Sequence, residues 1–96
     1  MIQIVLADDH KLFRDGLRKI LELDPEIKVV GEASNGEEAL QLLQERSPDI
    51  ILFDINMPRM DGIQLAREIN SRKLKVATIA VNAYNDESFH TTRRHK

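Results

Sequence analysis

The stretch that decides the fold is IILFD, residues 50–54, in which four apolar residues lead directly into Asp54. A strand that is apolar throughout is typical of the centre of a parallel sheet, because both of its faces are buried. A second apolar run, residues 2–7, leads into the adjacent pair Asp8 and Asp9. If the two runs are neighbouring parallel strands, three carboxylates meet at one edge of the sheet, and we expect a cation to hold them together.

An aspartate that follows a strand also has a simpler explanation, because aspartate often caps the next helix. A single residue such as Asp9 would favour that explanation. Carboxylates are rarely left unpaired beside a buried strand, however, and here two are adjacent while Asp54 follows the other strand. The set of three therefore favours a metal or phosphate site over helix capping.

Composition limits the chain to one small domain of 96 residues. The sequence is 42% hydrophobic and 31% charged, with a formal charge of -2, so its bulk charge predicts no direct binding of nucleic acid. No apolar run is long enough to span a bilayer, and Asp8 and Asp9 interrupt the first apolar stretch, unlike a signal sequence. We expect a cytoplasmic domain with no membrane partner.

Apolar runs alternate with helical patterns along the chain, which predicts a doubly wound α/β domain with a parallel sheet. Strands are predicted at residues 2–7, 27–33, 50–53 and 76–81. The first helix carries an apolar stripe suited to packing on the sheet, made of Phe13, Leu17, Ile20 and Leu21. Asn35 with Glu38, and Asp61, are the predicted N-terminal caps of the next two helices. The third helix is predicted to have one apolar side, formed by Ile63, Ala66 and Ile69.

Three motifs carry a resemblance to a known family: ADDH at residues 7–10, ASNGEEA at residues 33–39, and DINMPRMDG at residues 54–62. In combination they are similar to the receiver domains of two-component response regulators, over residues 1–87. The segments that begin at His10 and Val30 resemble regulators with a LuxR- or NarL-type helix-turn-helix output, which is not found in these 96 residues. The resemblance implies a flavodoxin-like fold with strand order 2-1-3-4 that lacks the last βα unit. Residues 88–96 are expected to form a basic, flexible tail.

The resemblance also implies a chemistry. Asp54 would be the phospho-acceptor, whose carboxylate takes a phosphoryl group from a sensor histidine kinase. Asp8, Asp9, Asp54 and the backbone carbonyl of Asn56 would hold Mg²⁺, an ion that prefers oxygen ligands. The chain would be no enzyme beyond promoting its own phosphorylation. His10 is expected to have a surface or capping role rather than to bind the metal, since hard oxygen ligands surround it.

Two departures from the family pattern stand out. Asn82 occupies the position of a serine or threonine that usually contacts the phosphoryl group, and the sequence stops before the fifth strand and its phosphate-binding lysine. We therefore expect poor phosphorylation of Asp54 and impaired switching. Without the last βα unit the fourth strand is an open edge, so we also expect a homodimer or an oligomer with exchanged elements. Pro58 and Gly62 are expected to shape the loop that follows Asp54 without touching substrate.

Two alternatives to a phosphorylated receiver come from other functional classes. A phosphohydrolase with an aspartyl nucleophile would want a second acid/base aspartate two residues after Asp54, where this chain has Asn56. A truncated receiver fragment that no longer signals, and acts only as a structural or oligomerising module, is favoured by the missing last unit. Labelling with a small phosphodonor separates this fragment from a working receiver.

Overall fold

The computed structural model describes residues 1–57 and 59–81, in which four strands alternate with three helices. The strands are β1 (Ile2–Ala7), β2 (Ile27–Ala33), β3 (Ile50–Asp54) and β4 (Ala77–Val81). The helices are α1 (Lys11–Leu21), α2 (Gly36–Arg46) and α3 (Gly62–Ser71). Every predicted strand is present, with bounds within one residue of the prediction. The predicted domain boundary at residue 87 and the tail at residues 88–96 lie outside the described residues.

The strands form one parallel sheet in the order β2-β1-β3-β4, which confirms the predicted flavodoxin-like, doubly wound topology. After β1 the chain forms β2 along one edge of β1, and it then crosses over to form β3 along the other edge of β1. Open α/β sheets bind ligands in the crevice at such a switch point, beyond the carboxyl ends of the strands. In this topology a ligand is therefore expected beside the residues that follow β1 and β3.

The described residues cover the two faces of the sheet unequally. On one, here called the α2/α3 face, the strands pack with two helices into a continuous apolar core, formed by Val5, Ala7, Ala33, Ala39, Leu40, Leu43, Ile51, Phe53, Met57, Leu65 and Ile69. On the other, the α1 face, the buried cluster among the described residues contains Ile4, Leu6 and Val29. Leu17 and Leu21 of α1 pack against that smaller cluster as half-buried side chains.

The apolar stripes predicted for two helices need correction. None of the residues of α1, all of which are described, is buried, and Ile20 is 66% exposed. Ile20 projects about 100° round the helix from Leu21, so the sheet reaches one side chain and not the other. In α3, Ile63 is exposed and the buried side chains are Leu65 and Ile69. A helix lying on one sheet buries a narrower stripe than its apolar periodicity suggests.

A β-bulge interrupts the pairing of β2 with β1. Val29 and Gly31 pair with successive residues of β1, so Val30 is an extra residue in the edge strand. Val30 packs on the α2/α3 face, whereas the Glu32 side chain reaches the other face, where it accepts a hydrogen bond from Arg14 of α1. The bulge resets which residues of β2 point to each face.

Local caps fix where α2 and α3 begin. The Asn35 side chain accepts a hydrogen bond from the backbone N–H of Glu38 at 2.9 Å, as predicted, but the Glu38 carboxylate bonds to Ser34 rather than to Asn35. Asp61 and Gln64 form a reciprocal capping box at the start of α3. Of the described helices, none combines the length and the apolarity that a membrane crossing requires.

Candidate functional site

Asp8 and Asp54 lie side by side at the carboxyl edge of the sheet. Asp54 is the last residue of β3, and Asp8 follows β1 directly. Because Ala7 pairs with Phe53 in the parallel register, the next residue of each strand enters the same crevice. Both aspartates are buried, with 3% of Asp8 and none of Asp54 exposed. The sequence prediction that the two apolar runs end beside each other is confirmed.

Short backbone hydrogen bonds orient the two buried carboxylates. One oxygen of Asp8, Oδ1, accepts from the N–H of His10 at 2.7 Å, and Oδ1 of Asp54 accepts from the N–H of Asn56 at 3.0 Å. In each case the chain turns back on the aspartate within two residues, the Asx turn that suits a strand leading into a loop. Each carboxylate is therefore held in place by the segment that follows it.

Asp9 and His10 complete a compact group of possible metal ligands with Asp8. One ligand atom from each lies within 4.8 Å of the others, and this is the one such group of three among the described residues. Nδ1 of His10 lies 2.9 Å from Oδ1 of Asp9 and 3.5 Å from Oδ1 of Asp8. His10 is the N-cap residue of α1, but its side chain makes no capping hydrogen bond. The predicted surface position of His10 holds, since the ring is exposed, whereas the capping role does not.

The donor set fits a hard divalent cation. Two carboxylates offer oxygen ligands, and oxygens bound to Mg²⁺ at ~2.1 Å lie roughly 3 to 4 Å apart in an octahedral shell. The spacing of the Asp8, Asp9 and His10 atoms is compatible with that geometry. Asp9 and His10 are exposed, which leaves room for the several waters that Mg²⁺ keeps. The residues present would therefore accept the ion that the family resemblance implies.

The structure brings together part of the predicted ligand set. Asp8 and Asp9 belong to the compact group, whereas Asp54, its neighbour across the strand pair, is not a member of it within the described residues. Asn56 is placed beside Asp54 through its N–H. Asn82 lies outside the described residues.

The loop after β3 is held tightly against two helix starts. The N–H of Gly62 donates to the carbonyl of Ile55 at 2.9 Å, and a Cβ on Gly62 would lie 2.7 Å from the Ile55 Cα. Gly36 at the start of α2 donates to the carbonyl of Met60 at 3.1 Å, and a Cβ there would lie 2.2 Å from that oxygen. The predicted role of Gly62 in close approach is confirmed, and Gly36 has the same role without having been predicted. Pro58 lies outside the described residues.

Sequence reasoning missed the pair Arg14 and Glu32, which lies beside the acidic group. Arg14 donates through Nη1 to the backbone carbonyl of Asp8 and through Nε to Oε1 of Glu32 at 3.1 Å. Arg18, one turn further along α1, donates to Oε2 of Glu32 at 2.7 Å. Burial by itself would raise the pKa of the Glu32 carboxyl, but hydrogen bonds from Arg18 and Arg14 outweigh burial and hold that pKa below its ordinary value of 4.5.

Comparison with known proteins agrees with this geometry. The family model of the response regulator receiver domain matches residues 4–93. The transcriptional regulatory protein DegU of Brevibacillus brevis is 42% identical over 90 residues, which cover 94% of this chain and 38% of DegU. The transcriptional regulatory protein LiaR of Bacillus subtilis is 48% identical over 82 residues, which cover 81% of this chain and 39% of LiaR. The chain thus spans about two fifths of the length of these curated relatives.

A solved structure matches the fold as well as the sequence. The signal receiver domain of NarL from Mycobacterium tuberculosis superposes with a TM-score of 0.83 at 38% sequence identity. The superposition covers 92% of this chain and 71% of that chain. With a parallel sheet of the expected order, aspartates at its switch point and a family match over most of its length, the chain belongs to the response regulator receiver domain family.

Proposed function

We propose that this domain accepts a phosphoryl group on Asp54 from a sensor histidine kinase and passes on the signal as a change of conformation. The observation that carries the proposal is the position of Asp54, fully buried at the end of the central strand and beside Asp8. The proposal includes the cytoplasmic location expected from the sequence. It also treats the chain as a binding module that promotes at most its own phosphorylation.

The chemistry requires a carboxylate held ready for in-line attack. An oxygen of Asp54 forms a bond to phosphorus while the bond from phosphorus to the histidine nitrogen of the kinase breaks, and the imidazole leaves with the electron pair. The N–H of Asn56 bonds to Oδ1 of Asp54 and so fixes the plane of the attacking group. Asn56 itself supplies no carboxylate, which argues against the phosphohydrolase alternative.

In this proposal Asp8 and Asp9 hold Mg²⁺, with Asp54 and the carbonyl of Asn56 completing the protein ligands. When bound, the ion would neutralise charge on the phosphoryl oxygens, which two acidic neighbours would otherwise repel. Support comes from the oxygen donors of Asp8 and Asp9, which already lie within reach of a common ion. These residues orient the site and set its charge.

Regulation and assembly form the further part of the proposal. Asn82 in place of a hydroxyl residue is expected to slow phosphorylation and weaken switching. Because the curated relatives are named transcriptional regulatory proteins, we place the signal in transcription regulation, with no direct DNA contact by this domain. Within residues 1–57 and 59–81, β4 is an edge strand of the sheet and 45% of Ile79 is exposed, so a second copy is the expected partner. Sedimentation at low micromolar concentration should show a dimer, and a compact monomer would count against it.

Acetyl phosphate labelling tests the acceptor directly. The wild-type domain is incubated with acetyl phosphate and Mg²⁺, and phosphoryl incorporation is followed by intact mass. We expect slow labelling that is lost in Asp54→Asn and retained in Asp49→Asn, a matched control at the opposite end of β3. Chelation of the divalent ion should abolish labelling of the wild type. Rapid labelling would contradict the impaired state, and labelling that persists in Asp54→Asn would contradict the assigned acceptor.

A receiver fragment that no longer signals is the second candidate, favoured by Asn82 at the position of the usual hydroxyl residue. It predicts no labelling under any condition while the domain remains folded. Circular dichroism on the same samples separates this outcome from simple unfolding.

A further inference from the structure

Arg14 connects α1 to the backbone of the acidic group. Its side chain is 13% exposed, and its guanidinium bonds at once to the carbonyl oxygen of Asp8 and to the carboxylate of Glu32. A planar guanidinium fork serves two acceptors in fixed directions, which a compact ammonium group does less well. The arrangement is therefore specific to arginine at this position.

These contacts close a ring round Asp8. The N–H of Asp8 donates to the carbonyl of Ala33 at 3.0 Å, and Ala33 follows Glu32 in β2. Glu32 accepts from Arg14, and Arg14 returns to the carbonyl of Asp8. The peptide groups on both sides of the Asp8 Cα are thus tied to β2, one directly and one through the ion pair. Fixing both peptides restricts the direction in which the Asp8 side chain leaves the strand.

Arg18 provides a natural comparison. It bonds to the same carboxylate of Glu32 at 2.7 Å, and its other described ion pair goes to Glu22 at 3.5 Å, away from the acidic group. The two arginines therefore share one acceptor and one helix face, but differ in whether they bond to the Asp8 backbone. Because both arginines attach α1 to Glu32 of β2, an effect of that attachment alone would appear when either arginine is substituted.

We infer that Arg14 is a positioning residue for the metal site, acting through the backbone of Asp8 rather than through its own charge. The inference rests on the proposed Mg²⁺ site. If Arg14 is replaced by a neutral residue, a role in positioning and a role of its charge predict opposite changes in Mg²⁺ affinity. Loss of a cation beside two carboxylates would by itself strengthen Mg²⁺ binding, whereas loss of the tether would weaken it.

The test is calorimetric titration of Mg²⁺ at about 0.15 M salt, where charges further than roughly 8 Å apart are largely screened. Arg14→Gln and Arg14→Lys are expected to weaken Mg²⁺ binding by about tenfold, as loss of a group that orients a metal ligand does. Arg18→Gln should leave the affinity within about twofold of the wild type. Thermal melting of each variant reports the structural cost, which we expect to be larger for Arg14→Gln, because the Arg14 side chain is 13% exposed and also loses its bond to the Asp8 carbonyl, whereas that of Arg18 is 44% exposed.

The outcomes separate the inference from the function on which it rests. Wild-type affinity in Arg14→Lys, or tighter binding in Arg14→Gln, would overturn positioning by Arg14 while leaving the metal site intact. No binding by the wild-type domain would overturn the metal site itself and the inference with it. If Arg14→Gln does not fold, Arg14→Lys and Glu32→Gln carry the same comparison, because Glu32→Gln weakens the anchor and keeps Arg14 in place.

Discussion

The two faces of the sheet are stabilised by different means. On the α2/α3 face, two helices bury a continuous apolar core that contains fully buried side chains such as Leu65. On the α1 face, as far as the described part of the chain extends, α1 contributes half-buried leucines, and charged side chains complete its attachment. The comparison shows that α1, which lies beside Asp8, is held on the sheet largely by ion pairs and hydrogen bonds. The helices α2 and α3, which contact the loop after β3, are held on the sheet by apolar packing.

Truncation of one leucine on each face should give the largest contrast. Leu65→Ala removes a fully buried side chain and should cost about 3 kcal/mol, the usual result of opening a cavity in a packed core. Leu17→Ala removes a half-buried side chain and should cost about 1 kcal/mol, because solvent already reaches it. Urea denaturation measures both. Equal losses would mean that the α1 face is packed as tightly as the other.

Two glycines, Gly36 on α2 and Gly16 on α1, give a second comparison of the two faces of the sheet. Gly36→Ala places a Cβ against the Met60 carbonyl and should cost about 2 kcal/mol through overpacking. Gly16→Ala on α1 meets no described atom within 4 Å and should stabilise the helix by about 0.5 to 1 kcal/mol. Thermal melting should therefore move in opposite directions. A loss of stability in Gly16→Ala would reveal a partner packed on α1.

Lowering the pH should weaken the ion pair that Glu32 forms on the α1 face, and the resulting loss of stability should be the smallest of the effects considered. The pKa of Glu32 is lower in the folded protein than its ordinary value of 4.5, so the unfolded chain takes up the proton first and stability falls as the pH drops below about 4.5. At neutral pH the pairing contributes roughly 0.5 kcal/mol, as for other half-exposed ion pairs. Glu32→Gln should be slightly less stable at pH 7 and lose less on acidification. A parallel loss in both proteins would show that other carboxylates dominate.

The sequence was most informative where a local rule acts. Alternating apolar runs located each of the strands that the structure describes, and the cap residues Asn35 and Asp61 located two helix starts. It was less informative for the exposed sides of helices, since periodicity placed Ile20 and Ile63 in packed stripes although both are exposed. Burial depends on how much surface lies opposite a helix, and that is a property of the assembled layers.

The same distinction applies to the candidate site. Asp8 and Asp54 could be placed together because register and strand order follow from the alternation of strands and helices. The pair Arg14 and Glu32 gave no such signal, since 18 residues separate them and no short motif couples a helix to an edge strand. The close contact of Gly36 with Met60 was hidden for the same reason.

The bulge at Val30 changes the odd-even parity of an edge strand. If Val30 paired regularly with β1 instead of forming the bulge, strict alternation after Val29 would send Glu32 into the α2/α3 face and Ala33 to the opposite side. A carboxylate would then enter the oily interior beside Leu42, and the arginines of α1 would lose their common acceptor. The bulged backbone at one residue of an edge strand thus decides whether an acidic side chain supports the end of the domain that carries Asp8 or disrupts its interior.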